Sequence, residues 1–76
     1  MKTAVFGAGL VGGPMAVDLS RDSDRQVIVF DKDSRALEML RSAYPKIGTH
    51  REDLSNTAKV CEIASEFDVV LSAVPG

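Results

Sequence analysis

The sequence predicts an α/β protein built on a parallel sheet, and three observations carry that prediction. Residues 3–6, 27–30 and 69–74 are mostly apolar runs of strand length, too short for helices and without the alternation of a half-exposed strand. Between them lie longer segments whose apolar residues return at a helical period. Strands and helices therefore alternate as β-α-β-α-β-α-β, which implies parallel pairing through right-handed crossovers.

Each element has a local reason. Thr3-Ala4-Val5-Phe6 is stopped by Gly7 and reads as a buried strand. From 10 to 20, Leu10, Val11, Met15, Ala16 and Leu19 recur at helical spacing, and Pro14 falls in the first turn, where a missing N–H is tolerated. Residues 21–24 form a polar turn. Val27-Ile28-Val29-Phe30 is β-branched and aromatic, as a strand buried on both faces requires. Asp33 or Ser34 can cap the second helix, whose inner stripe is Ala36, Leu37, Leu40, Ala43 and Tyr44 and which Pro45 stops. A short edge strand is expected over 46–50. Ser55 or Asn56 can cap the third helix, with Val60, Cys61, Ala64 and Phe67 on its inner face, before the last strand at 69–74 and the closing Pro75-Gly76.

A doubly wound, Rossmann-type sheet has about six strands in the order 3-2-1-4-5-6. Residues 1–76 supply the first four, so the expected architecture is strand order 3-2-1-4. The chain is expected to be the truncated amino-terminal portion of a dinucleotide-binding domain, with its remainder and any substrate domain missing. The fourth strand is expected to be a bare edge open to self-association.

Composition narrows the partners. The 76 residues carry 9 Lys plus Arg against 11 Asp plus Glu, 45% are hydrophobic, and mean hydropathy is +0.03. Such a balance offers no electrostatic reason for nucleic acid or an anionic membrane as partner. No run approaches the roughly 20 apolar residues of a membrane span, and the apolar start is too short for a secretory signal. A cytoplasmic protein is expected. Cys61, the single cysteine, excludes an internal disulfide and a cysteine-based zinc site, and no metal-ligand cluster is visible. Cys61 reads as a packing residue rather than a nucleophile. His50, without an acid or nucleophile at a recognisable spacing, reads as a surface loop residue.

The chemistry sits in Gly7-Ala8-Gly9-Leu10-Val11-Gly12, a G-x-G-x-x-G that follows a strand and opens a helix. Gly7 allows the tight turn, a Cβ at Gly9 would hold a diphosphate off the backbone, and Gly12 lets helix and sheet approach. Amides near Leu10 and Val11, at the positive end of the helix, are the expected donors to the phosphates. Asp31 ends the second strand, 24 residues after Gly7 and 19 after Gly12. A carboxylate there suits the adenosine ribose hydroxyls of NAD and repels the 2′-phosphate of NADP. Lys32 and Arg35 soften that preference, so NADP stays possible, and a solvated turn or cap is the plainer reading of Asp31. Asp53 follows the third strand and either meets the adenine edge or caps the next helix. Ala73, Val74 and Pro75 end the fourth strand, where the nicotinamide half belongs, or simply terminate it.

These stretches, 4–14, Asp31, Asp53 and 67–75, resemble the amino-terminal part of the saccharopine dehydrogenase family, which includes saccharopine reductases and lysine 6-dehydrogenases. The resemblance spans nearly the whole chain but only the cofactor-binding half of such an enzyme. It implies an NAD(P)-dependent oxidoreductase acting at the C–N bond of an amino acid or its imine. It places diphosphate at Gly7, Gly9, Leu10, Val11 and Gly12, ribose at Asp31, and nicotinamide beside Ala73, Val74 and Pro75. No catalytic residue is expected within these 76 positions, so the chain alone should show no turnover. Residues 12–19 are also similar to the β-hydroxyacid dehydrogenases, and 29–33 to the nucleotide-sensing domains of potassium transport regulators, which are binding modules rather than enzymes.

Overall fold

The computed structural model describes residues 1–7, 12–22 and 24–72. Its elements are β1 (Lys2–Phe6), α1 (Gly12–Ser20), β2 (Gln26–Asp31), α2 (Ser34–Ala43), β3 (Gly48–Arg51), α3 (Thr57–Ala64) and β4 (Val69–Ser72). The four strands form one parallel sheet in the order β3-β2-β1-β4, as the alternation predicts.

β1 lies between β2 and β4, and its composition follows from that place: Thr3, Ala4 and Val5 are completely buried and Phe6 nearly so. Successive side chains of a strand point to opposite faces, so the sheet feeds two cores. Val5, Val27 and Val29 join Ala16, Leu37, Leu40 and Ile47 under α1 and α2. Ala4, Phe6 and Phe30 join Ile63 under α3, with Ile28, Leu54, Val60 and Phe67 packed partly against them. Phe30 meets Phe6 and Phe67 edge to face, with ring centroids 5.7 Å apart in both pairs.

Two helix starts are capped as their sequences suggest. The Asp33 carboxylate accepts the N–H groups of Arg35 and Ala36 at 3.0 and 3.3 Å. The Asn56 side chain accepts that of Lys59 at 3.2 Å. Of the alternatives open in the sequence, these are Asp33 and Asn56, not Ser34 and Ser55.

Some expectations do not hold. Ala43 and Tyr44 are exposed, because α2 ends at Ala43 and Tyr44, at φ −135°, ψ 80°, leads the chain out of the helix. Ile47, just before β3, fills the core instead. β3 begins at Gly48, later than the expected 46, and runs through Arg51. Cys61 is exposed and Ile63 takes the inward position on α3. His50 lies within β3 rather than in a loop, its ring 5.6 Å from that of Phe30. β4 alternates half-buried with exposed residues, since it is an edge strand. Of the expected helix start, Leu10 and Val11 lie outside the described residues, as do Ala73–Gly76 of the last run.

The amino ends of the strands are tied together. The Met1 ammonium donates to the Asp24 carbonyl at 2.9 Å, and the Gln26 N–H donates to the Met1 carbonyl at 2.8 Å. The Lys2 N–H donates to the Asp68 carboxylate at 2.7 Å, and the Asp68 N–H returns to the Lys2 carbonyl at 2.9 Å. Thr3, the one buried polar side chain among the described residues, accepts from Arg25 Nη1 at 3.2 Å. The opposite, carboxyl end is where a parallel α/β sheet receives ligands.

Candidate functional site

At the carboxyl end, parallel register sets Phe6 beside Phe30 and Ser72, and Asp31 beside Arg51. The chain leaves β1 through Gly7, which is buried and holds φ at 105°. A side chain at that φ is strained, so the tight turn requires glycine. The Gly7 N–H donates to the Phe30 carbonyl at 2.8 Å, which fixes the turn against β2. Gly12 then opens α1, whose first turn holds no acidic residue, so no carboxylate there offsets the positive end of the helix. Gly9, Leu10 and Val11 lie outside the described residues, as do Ala73, Val74 and Pro75.

Asp31 is the last residue of β2 and is half-buried. Its Oδ1 accepts the Asp33 N–H at 3.0 Å, and its carbonyl accepts the Glu52 N–H at 2.9 Å. The first bond tightens the 31–33 turn that lets Asp33 cap α2. The second binds this turn to the segment after β3. Lys32 is exposed, and its carbonyl accepts Arg51 Nε at 3.2 Å. Asp53 is exposed and turns its Oδ1 toward the Ser55 hydroxyl at 2.6 Å and the Ser55 N–H at 3.0 Å. The hydroxyl bond above all, then the amide bond, holds the Asp53 carboxyl below the ordinary carboxylate range, with a smaller contribution from the Lys32 charge.

Lys32, Arg51, Glu52 and Asp53 line a cavity of about 410 Å³ at this corner. Lys32 and Asp53, singled out from sequence, thus come together. Arg35, also singled out, stands in the first turn of α2 and is not among these lining residues. Arg51 takes the basic place there. Nothing in the linear sequence marks it, because its position depends on the β2–β3 register. Among the described residues no group of three or more His, Cys, Asp or Glu gathers as a metal site, and no helix is long and apolar enough to cross a membrane.

The profile of the family described as Saccharopine dehydrogenase NADP binding domain matches residues 3–76. The chain belongs to this family. Among solved structures, the saccharopine dehydrogenase-type fold of the chain is similar to apo histidine-tagged saccharopine dehydrogenase (L-Glu forming) from Saccharomyces cerevisiae, with TM-score 0.81 and 21% identity over 97% of this chain and 16% of that one. At that identity the likeness is one of fold. It is also similar to UDP-glucuronic acid 4-epimerase from Bacillus cereus in complex with UDP-glucuronic acid and NAD, with TM-score 0.74 and 25% identity over 100% of this chain and 27% of that one. The same epimerase in complex with NAD gives TM-score 0.75 and 25% identity, over 100% of this chain and 28% of that one. The saccharopine dehydrogenase-family chain thus spans about a sixth of the first structure and about a quarter of the epimerase. No curated protein sequence matches it.

Proposed function

We propose that this chain is the NAD(P)-binding portion of an oxidoreductase acting on the C–N bond of an amino acid or its imine. The observation that carries the cofactor reading is Gly7 at φ 105°, buried in the turn between β1 and a helix that opens at Gly12 with no acidic residue in its first turn. The substrate class rests on family membership. When bound, the dinucleotide supplies hydride chemistry at the carbon bearing nitrogen, and the protein binds and orients it. In this reading Gly7, Gly9, Leu10, Val11 and Gly12 receive the diphosphate, and Asp31 accepts from the adenosine ribose. Lys32 and Asp53 flank the adenosine, and Ala73, Val74 and Pro75 border the nicotinamide. General acid and base groups are assigned to residues outside this chain.

The test is Gly9→Val in the full-length enzyme, with NAD, NADP and ATP titrated calorimetrically. A side chain at Gly9 that keeps a diphosphate off the backbone is expected to weaken both dinucleotides by about tenfold or more. Unchanged affinity would overturn the cofactor reading. Tight ATP binding without dinucleotide binding would favour a nucleotide sensor. Turnover of an amino acid with NAD by residues 1–76 alone would overturn the placement of the acid and base.

A further inference from the structure

We propose that Arg51, with Lys32 beside it, seats the 2′-phosphate of NADP and so lets a site with an acidic ribose ligand accept NADP as well as NAD. The inference rests on the dinucleotide reading above. Three features carry it. First, Arg51 is the register partner of Asp31 at the carboxyl end of the sheet, and neighbouring strands lie about 4.8 Å apart, so its side chain starts beside the ribose position. Second, Arg51 Nε donates to the Lys32 carbonyl at 3.2 Å, which ties the guanidinium to the loop after β2. Its two terminal nitrogens form the fork that matches a phosphate, and Lys32 adds a second cation to the same cavity. Among the described residues neither cation is in an ion pair.

Third, the acids of this corner each have a partner other than Arg51, although the Lys32 charge also acts on Asp53. Asp31 Oδ1 accepts the Asp33 N–H, and Asp53 Oδ1 accepts the Ser55 N–H and hydroxyl. Glu52 Oε2 lies 3.4 Å from His50 Nε2. An arginine near the ribose is how related sheets accommodate a 2′-phosphate. Here it comes from the end of β3 rather than from the loop after β2.

The experiment measures binding of NAD, NADP, 5′-AMP and adenosine 2′,5′-bisphosphate to the full-length enzyme and to its Arg51→Ala, Arg51→Lys and Lys32→Ala variants. Arg51→Ala is expected to weaken NADP and the bisphosphate by about tenfold while NAD and 5′-AMP change by less than about twofold. Arg51→Lys should fall between, since a point charge replaces a fork. Lys32→Ala should act in the same direction and less. An unchanged ratio of NADP to NAD affinity in Arg51→Ala, or equal weakening of both, overturns this assignment and leaves the cofactor reading standing. Wild-type enzyme that binds NAD but not NADP also overturns it alone, whereas wild-type enzyme that binds neither defeats both.

Discussion

The two faces of the sheet are built from the same strands and are closed to different degrees. Among the described residues, seven buried ones meet under α1 and α2, all aliphatic. Under α3 the described residues supply four, two of them phenylalanines, and the apolar residues packed against them, Ile28, Leu54, Val60 and Phe67, are only partly buried. β2 shows the contrast within one strand. Val27 and Val29 are buried on the two-helix face, while Ile28, with an equally apolar side chain, stays half-exposed on the other. Apolar pattern therefore sets which way a residue points, and the number of covering helices sets how much water it loses. The one-helix face compensates partly with ring contacts, and the Lys2 ammonium sits 5.2 Å from the centre of the Phe67 ring.

Paired substitutions can break or sharpen this comparison. Leu37→Ala, on the closed face, should cost about 2–5 kcal/mol, read from the urea midpoint. Ile63→Ala should cost less, about 2 kcal/mol, because its surroundings are more open and relax more easily. An equal or larger loss at Ile63 would show that the two faces contribute alike. Gly7→Ala should cost about 1–3 kcal/mol, since φ 105° is strained for alanine. A stable variant with normal nucleotide affinity would mean that the turn can rearrange.

The caps give a finer contrast. Asp33→Ala and Asn56→Ala should each cost about 1 kcal/mol, with Asp33 the larger because it accepts two amides where Asn56 accepts one. Thermal melts of the two variants check the order. The smallest effect is at Asp53. Its carboxyl is held low in the folded chain, so its contribution is complete above the ordinary carboxylate range and disappears as pH falls through the lowered folded value. Ser55→Ala should raise the Asp53 titration midpoint followed by carboxyl NMR. A midpoint that stays put would remove the hydroxyl as the main cause.

Most of the fold was legible because its signals are local. Mostly apolar runs marked β1 and β2, and the Asp33 and Asn56 caps stand where short polar side chains precede a helical pattern. The errors come from faces and ends. On α3, residues 60, 63 and 64 keep the i, i+3, i+4 spacing, and Cys61 falls outside it, so the period itself would have found Ile63. β3 has four residues, too few for periodicity to set its bounds or reveal that Ile47 turns inward. In the site, Gly7 and Asp31 were visible because one β-α-β unit contains both. Arg51 was not, since a residue 20 positions after Asp31 becomes its neighbour only when the third strand pairs with the second.

β4 runs parallel to β1 and ends level with it, Ser72 lying opposite Phe6. The Gly7 turn therefore stands beside the last described residue of β4, at the end of the sheet away from the hydrogen bonds of Met1 and Lys2. A substitution at Ser72 would thus be felt at this turn before it reached the base of the sheet.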